Sequence, residues 1–413
     1  MSRVILHCDM NNFFASVECL LNPELANKRV AVCGNLQERH GIVLAKNENA
    51  KKFGVKTGEA IWEAQKKCPG LVIVPHRFGY YTEFSKRARE IYKRYTDLVE
   101  PFGLDECWLD VTGSVRLFGD GKKIADDIRA VIKKELGLTI SAGVSFNKVF
   151  AKLGSDLKKP DATTVISEEN FRELIYHLPA NDMIGIGHST FKNLSSIGVY
   201  TIGELAQLPV DTLRIRLGKH GEALWRYANG LDNSRVIPEE LSGPIKSIGR
   251  GITAVRDLVS AKEVHAVMLF LSGEVARKLR EAELFAGSVQ ISVRDSRLVT
   301  REFQCPLPME TSNAGLIEKY AYDMFCRKYS WQNAVRSVTV RAIKLVPSSC
   351  ARQLDMQVDI QRLERKEKID SVADMINKHY GKGTLKPLTL VADIHIPKLR
   401  PDGAMLPGFN IRP

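Results

Sequence analysis

Hydrophobic positions in the first 170 residues follow two spacings, which separate strands from helices. Short apolar runs predict strands at 3–9, 30–33, 42–45, 71–74, 107–111, 138–144 and 163–166. Apolar stripes at helical spacing, or helix-like composition, predict helices at 13–21, 46–53, 82–99, 124–136 and 147–158. The order strand–helix–strand–strand–helix–strand indicates a mixed α/β (α+β) fold. We expect a ferredoxin-like sheet with a sizeable insertion after its first strand and helix.

The pattern of predicted elements changes after residue 167. Short helices separated by glycine turns continue to about 230, and 231–245 has the composition of a linker. Residues 246–346 alternate strands and helices again, with strands predicted at 288–293 and 336–346. The remaining residues are polar, with a charged helix at 362–379 and a Pro-rich end. At about 100–200 residues per domain, 413 residues predict two to four domains.

Composition adds a weak hint about partners. The chain has 60 Lys plus Arg against 48 Asp plus Glu, a net charge of +12, which favours an anionic partner. No apolar run is long enough to span a bilayer, and the first residues do not form a signal peptide, so we expect a cytoplasmic protein without a membrane partner. The eight cysteines contain no Cys-x-x-Cys pair, which argues against a zinc ribbon or a dithiol site.

Acidic residues concentrate at two predicted strand edges. Asp9 ends the first strand, and Asp105 and Glu106 occupy a turn before the strand at 107–111. If these strands are neighbours, the three carboxylates converge, and together they need a cation to stay ionised. Oxygen ligands favour Mg²⁺ or Mn²⁺ and suit a two-metal phosphoryl transfer. The alternative is that Asp105 and Glu106 are solvated residues of an ordinary turn.

Basic residues and glycine turns accompany these acids. Lys148 and Lys152 are four apart on one predicted helix face, which indicates either an anion-binding face or an ordinary solvated one. Gly185, Gly187 and Gly198 lie in turns between helical segments, which resembles a helix-hairpin-helix motif whose backbone N–H groups grip DNA phosphates. A Walker-type phosphate loop is absent from the sequence.

Four segments in order make the sequence resemble the Y-family DNA polymerases, and most closely the bacterial translesion enzymes among them. They are DMNNFFASVE from Asp9, the segment Asn47–Gly58, GLDECWLDVT from Gly103, and GVSFNKVFAKLGSDLKKP from Gly143. The resemblance implies a right-hand polymerase with a palm, small fingers, a helix-hairpin-helix thumb and a βαββαβ little finger. The implied boundaries are palm 1–10 and 75–167, fingers 11–74, thumb 168–230, linker 231–245, little finger 246–346 and tail 347–413.

The resemblance also assigns roles around the acids. Asp9, Asp105 and Glu106, with the Met10 carbonyl, would hold two Mg²⁺ ions, with Mn²⁺ as the alternative cation. Phe14 would be the steric gate that excludes a ribose 2′-hydroxyl, and Phe13 would support the sugar. Lys51 and Lys159 would hold the triphosphate of the incoming deoxynucleotide. Residues over the nascent base pair would be Ile42, Leu44 and Gly58.

Several positions depart from the family pattern. Glu48 and Lys51 stand where Tyr and Arg are usual at the triphosphate, and we expect Asn47 or Lys51 to compensate for the charge of Glu48. Ile42 and Leu44 are bulkier than the small residues that are common there, which predicts a tighter roof over the nascent pair.

The last third of the chain supplies the remaining candidates for DNA contact. Between Lys246 and Lys344 there are 16 Lys plus Arg and 10 Asp plus Glu, a net of +6, which favours salt-sensitive contacts with a duplex backbone. The candidates are Lys246, Arg250, Arg256, Arg294, Arg336, Arg341 and Lys344. The segment Gln353–Met356 resembles a sliding-clamp-binding peptide, although Gln357 stands where such peptides carry Phe.

The sequence therefore predicts a template-directed DNA polymerase of the lesion-bypass type, acting on primer–template DNA and deoxynucleoside triphosphates. A non-catalytic DNA-binding scaffold with the same fold is the alternative, and the intact set of three acids disfavours it. A nucleotide cyclase with a similar palm is disfavoured by the thumb hairpins and the basic terminal domain.

Overall fold

The computed structural model describes residues 2–34, 41–241, 243–350, 360–381 and 383–390. These residues form two compact units, one from the described residues up to 241 and the other from 243 onward. None of the helices in these ranges is both long enough and apolar enough to cross a membrane.

The first unit contains eight strands and twelve α-helices within its described residues. The strands are β1 Ile5–Met10, β2 Val30–Cys33, β3 Val43–Lys46, β4 Val72–Pro75, β5 Val99–Phe102, β6 Glu106–Asp110, β7 Ile140–Ser145 and β8 Thr163–Ile166. The helices are α1 Phe13–Leu21, α2 Glu48–Lys51, α3 Ile61–Lys67, α4 Phe78–Tyr92, α5 Val115–Phe118, α6 Gly121–Leu136, α7 Lys148–Leu157, α8 Phe171–Ile175, α9 His188–Ser195, α10 Ile202–Gln207, α11 Val210–Leu217 and α12 Lys219–Ala228.

The main sheet has the strand order β5-β6-β1-β7-β8. Strand β1 is antiparallel to both β6 and β7, and the first four strands of that order have the ferredoxin-like arrangement, to which β8 adds a parallel edge. The predicted insertion is a three-stranded sheet of order β3-β2-β4 with α2 and α3. The ferredoxin-like sheet and its insertion are therefore confirmed.

Strand β1 is buried along its whole length because helices cover both faces of the sheet. Its even-numbered residues, Leu6 among them, join a core with α4 and α6, whereas Ile5 packs with Ala151 of α7 on the opposite face. Asp9 and His7 share the parity of Ile5, so their side chains lie on the α7 face of the sheet.

Several predicted elements have different limits. The predicted helix at 46–53 contains only four helical residues, and the one at 82–99 is α4, which begins at Phe78 and ends at Tyr92. Strand β5 and helix α3 were not predicted. Strand β5 contains Pro101 and pairs only at the edge of the sheet, where proline is tolerated, so its sequence pattern is weak.

The second unit has the order β9 Ser247–Leu258, α13 Ala261–Glu281, β10 Leu284–Asp295, β11 Thr300–Thr311, α14 Ala314–Lys328 and β12 Val335–Pro347. This is the predicted βαββαβ pattern, folded into an antiparallel sheet of order β11-β10-β12-β9. Helices α13 and α14 pack on one face and form a separate hydrophobic core with the sheet.

A last helix, α15 Ile360–Tyr380, packs against the second unit and corresponds to the predicted charged helix. Arg280 of α13 donates to Asp374 at 2.7 Å, and Asp370 accepts from the backbone N–H of Ala314 at 3.0 Å. Because Ala314 is the first residue of α14, the Asp370 carboxylate satisfies an otherwise free N–H group there.

Candidate active site

The register of the main sheet brings the three predicted acids together. Asp9 lies directly opposite Glu106, and the Met10 N–H donates to the Asp105 carbonyl at 3.0 Å. The turn before β6 begins at Gly103, whose φ of 92° favours glycine. Strands β1 and β6 are therefore neighbours, as the predicted convergence of the three acids requires.

The three carboxyl groups differ strongly in their electrostatics. Burial, with Asp9 and Glu106 nearby, raises the pKa of Asp105 to about 7. Burial also raises the pKa of Asp9, although the nearby Lys159 opposes the effect. Burial alone would raise the pKa of Glu106, but contacts with His7 and Lys152 outweigh it and lower the pKa to about 2.

Two of these carboxylates form ion pairs with lysine ammonium groups. Lys159 Nζ is 2.5 Å from Asp9 Oδ2 and 2.7 Å from Asp156 Oδ1, and these acids raise its pKa against the opposing effect of burial. Lys152 pairs with Glu106 Oε2. Within the ranges described, no three His, Cys, Asp or Glu side chains are already arranged to hold one metal ion. A metal would therefore compete with these lysines for the carboxylate oxygens.

Lys148, predicted to contact DNA, also has an acidic partner. Its Nζ lies 2.7 Å from both carboxylate oxygens of Glu100 and 4.4 Å from the centre of the Trp108 ring. The i, i+4 spacing of Lys148 and Lys152 therefore places two ion pairs between α7 and the sheet.

Sequence reasoning missed His7, which lies behind Glu106. Its ring is fully buried, and Nε2 is 3.2 Å from Glu106 Oε2. Burial lowers the pKa of His7, so we regard the Lys152 ammonium as the cation that keeps Glu106 ionised. The one available signal was position, since residues 7 and 9 of a strand face the same side.

The predicted steric gate, Phe14, packs against other aromatic rings. Phe14 stacks on Tyr81, with ring centroids 4.3 Å apart and planes at 11°, and it meets Phe78 edge-on at 5.7 Å. Tyr81 Oη donates to Glu18 at 2.7 Å, which fixes the stacking partner. Phe13 is buried next to Phe14, and the two ring centroids are 5.6 Å apart.

A cavity of about 190 Å³ adjoins Asp9. Three lysines line it together with acids and amides, and the full lining is Asp9, Asn11, Asn12, Lys46, Glu48, Lys51 and Lys159. Lys46 was not predicted. The expected compensation for Glu48 comes from Lys51, 3.5 Å away, and from the amide of Asn12 at 2.9 Å. Asn47, the other expected candidate, does not contact the Glu48 carboxylate, and its side chain accepts from the Ala50 N–H at the start of α2.

The predicted roof residues lie close together in the inserted sheet. Ile42 forms an isolated bridge with Ala60 and is 41% exposed, and Leu44 lies on β3. The N–H of Gly58, a residue with φ of 86°, donates to the Val43 carbonyl at 2.8 Å. Ile42, Leu44 and Gly58 therefore belong to one local structure.

The glycine turns have the predicted placement between helices. Gly187 directly precedes α9, and Gly198, with φ of 79°, lies between α9 and α10. Thr201 then caps α10 through the N–H of Glu204. Gly185 has φ of 90°, and its carbonyl lies 3.1 Å from His220 Nε2.

The basic residues predicted in the second unit do not share one face. Arg341 and Arg294 are exposed on the sheet face opposite α13 and α14. Arg250 pairs with the buried Val340, so its side chain lies on the helix-covered face instead. Because side chains along a strand alternate between the two faces of the sheet, a count of charges does not show which basic residues share a face.

Comparisons with known proteins agree with this architecture. Residues 8–156 match the impB/mucB/samB family, residues 245–356 match the C-terminal domain of that family, and residues 181–232 match the thumb domain of DNA polymerase-iota. A Y-family DNA polymerase chimera of known structure superposes with a TM-score of 0.75 at 24% identity, covering 83% of this chain and 99% of that one.

Curated relatives match nearly the whole length. DNA polymerase IV of Acetivibrio thermocellus is 50% identical, with 95% of this chain and 98% of the relative covered. DNA polymerase IV of Moorella thermoacetica is 38% identical over 92% and 94%, and DNA polymerase IV 1 of Bacillus subtilis is 35% identical over 92% and 91%. The chain therefore belongs to the DNA polymerase IV family, and its fold is that of the Y-family DNA polymerases.

Proposed function

We propose that the protein is a template-directed DNA polymerase that copies damaged templates, with Asp9, Asp105 and Glu106 as its metal-binding carboxylates. The observation that carries the proposal is their convergence at one end of the neighbouring strands β1 and β6, with the pKa of Asp105 raised to about 7. A carboxyl group held at this pKa beside two others marks a place where negative charge is not fully compensated.

The donor set fits hard divalent cations. Carboxylate oxygens, with the Met10 carbonyl, are the ligands that Mg²⁺ and Mn²⁺ prefer, and Y-family polymerases are metal-dependent. Two bound Mg²⁺ ions would activate the primer 3′-hydroxyl and neutralise charge on the reacting phosphate. Asp9, Asp105 and Glu106 would hold these ions, which requires Lys159 and Lys152 to leave the carboxylate oxygens.

Lys159 gains a second role from this exchange. The Lys159 ammonium pairs with Asp9 and also lines the cavity, together with Lys51 and Lys46. A triphosphate bound in that cavity would therefore be close to three positive charges. Charge-assisted contacts from these lysines would hold the phosphates and stabilise the departing pyrophosphate. The Asn12 contact would hold Glu48 in one orientation and limit its repulsion.

The residues of the gate and the roof would select the nucleotide and the template base. Phe14 cannot turn away easily because Tyr81 stacks on it, so a 2′-hydroxyl would meet its ring. Ile42, Leu44 and Gly58 would cover the nascent pair from the inserted sheet. The bulk of Leu44 would restrict the adducts that this polymerase bypasses.

The remaining assignments follow from the same proposal. The domain boundaries of palm, fingers, thumb, linker, little finger and tail stay as the sequence predicts them. The hairpin glycines and the exposed Arg341 and Arg294 would contact the DNA backbone without reading bases. The candidate clamp-binding segment Gln353–Met356 lies outside the described residues, and clamp binding stays a prediction.

Primer extension tests the catalytic assignment. Wild type with Mg²⁺ and deoxynucleotides should extend a primer on intact and abasic templates, and Asp105→Ala should not. Asp97→Asn is the matched control, because Asp97 is an exposed acid of the same unit and should be dispensable. A wild type that binds primer–template DNA but never extends it would favour the scaffold function instead.

A further inference from the structure

His7 makes two polar contacts from a fully buried position on β1. Its Nε2 is 3.2 Å from Glu106 Oε2, and its Nδ1 is 2.8 Å from the hydroxyl of Ser155 on α7. Ser155 is itself buried, and its Oγ is 2.7 Å from the Lys152 carbonyl. Because a neutral imidazole carries one N–H, a hydrogen on Nε2 requires Nδ1 to accept from the Ser155 hydroxyl, and this contact fixes the ring to helix α7.

The ring has no room for another orientation. Gly143 lies opposite His7 in the register, and a Cβ there would lie 1.9 Å from the Ala151 carbonyl oxygen, so α7 lies directly against the sheet. On the other side Trp108 is opposite His7, with ring centroids 5.1 Å apart and an edge-on geometry. Trp108 is fixed in turn by its indole N–H, which donates to the Lys148 carbonyl at 3.0 Å.

Both contacts to Glu106 reach the same oxygen. Lys152 Nζ and His7 Nε2 each lie against Oε2. Nε2 is 3.2 Å from Oε2, but the contact does not have the geometry of a hydrogen bond. If a cation displaced Lys152, His7 would be the remaining donor available to Oε2.

We propose that His7 is a positioning residue for Glu106, holding Oε2 from behind so that Oε1 faces the reaction centre. This rests on the proposed function, in which Glu106 is a metal ligand. Groups that orient a metal ligand from behind typically contribute about 10–100-fold to metal affinity or activity. The function of His7 is then carried by one ring nitrogen, which a conservative substitution can imitate.

Three substitutions at position 7 separate positioning from packing. The amide of His7→Gln reaches about as far as Nε2, the amide of His7→Asn reaches only as far as Nδ1, and His7→Leu has no polar atom. Each variant is studied as the full chain on primer–template DNA. The measurements are the Mg²⁺ concentration for half-maximal insertion, kcat and KM separately, Mn²⁺ binding by electron paramagnetic resonance, and Tm.

Positioning predicts a specific pattern. His7→Asn and His7→Leu should raise the half-maximal Mg²⁺ concentration about 10–100-fold and weaken Mn²⁺ binding, with KM for the deoxynucleotide little changed at saturating metal. His7→Gln should recover most of the metal affinity, even if its Tm is as low as that of His7→Asn. Equal metal requirements in Gln, Asn and Leu variants, or losses that follow only Tm, would overturn the proposal.

Ser155→Ala keeps the test decisive if the His7 variants do not fold. Removing one buried hydroxyl leaves the imidazole packed in place but takes away the donor to Nδ1 that keeps the ring hydrogen on Nε2, so the Mg²⁺ requirement should rise several-fold. An unchanged requirement would count against positioning. If Asp105→Ala polymerises normally, the proposed set of metal-binding carboxylates fails, whereas an inactive Asp105→Ala together with normal metal dependence in the His7 and Ser155 variants rejects only the inference about His7.

Discussion

Replacing Asp105 with Asn should stabilise the metal-free protein at neutral and higher pH. In the folded protein the pKa of Asp105 is about 7, against an ordinary value of 3.8, because of burial and the neighbouring acids Asp9 and Glu106. A difference of that size corresponds to about 4 kcal/mol of unfavourable free energy for the ionised form. Asparagine has nearly the same shape but no charge to bury.

The sign of the pH dependence follows from proton linkage. Between about pH 4 and pH 7 the folded protein binds a proton at Asp105 that the unfolded chain has released, so this group's contribution to stability is lost as pH rises. Asp105→Asn removes that loss. We therefore expect wild type and variant to be nearly equal near pH 4 and to diverge by up to about 4 kcal/mol at pH 8.

Urea unfolding in the presence of EDTA from pH 4 to pH 8.5 measures this difference. The free energy of unfolding of Asp105→Asn minus that of wild type should grow through the window, while Asp97→Asn should follow wild type. Identical pH dependence of Asp105→Asn and wild type would refute the reasoning that Asp105 is held in an uncompensated acidic environment.

The other predictions concern the gate, the roof and the packing beneath the site. Phe14→Ala should raise ribonucleotide incorporation in a primer-extension assay that compares the two sugars, and no change would remove the gate assignment. Leu44→Ala should improve bypass of a bulky template adduct relative to undamaged template; tolerance equal to that of wild type would contradict a tight roof. Gly143→Ala should destabilise the protein by about 3 kcal/mol or more in urea unfolding, because the new Cβ would lie 1.9 Å from the Ala151 carbonyl oxygen. A near-neutral effect of that substitution would show that α7 shifts easily.

Elements with a strong local pattern were predictable from the sequence. The stripe of helix α6 ends at Gly137, which has φ of 67°, and both the stripe and the glycine are visible in the sequence. Strand β5 could not be predicted in the same way, since Pro101 weakens its pattern and only pairing with β6 makes it a strand.

The acids of the site were predictable because each follows or precedes an apolar strand, but their partners were not. Lys152 and Glu106 are 46 residues apart, and His7 and Ser155 are 148 apart, so only the register of the sheet and the packing of α7 bring them together. Spacing alone indicated lysines on a solvated or DNA-binding face. In the structure, the two lysines of α7 instead form ion pairs with carboxylates of the sheet.

The most direct test of the central claim is the single-turnover rate of nucleotide insertion by Asp105→Ala, at DNA concentrations where both variant and wild type are fully bound. If Asp105 helps to hold the metal ions, the rate in Mg²⁺ should fall by at least about 100-fold while the affinity for primer–template DNA stays unchanged. A rate within a few-fold of wild type would contradict the assignment of the three carboxylates as the catalytic centre.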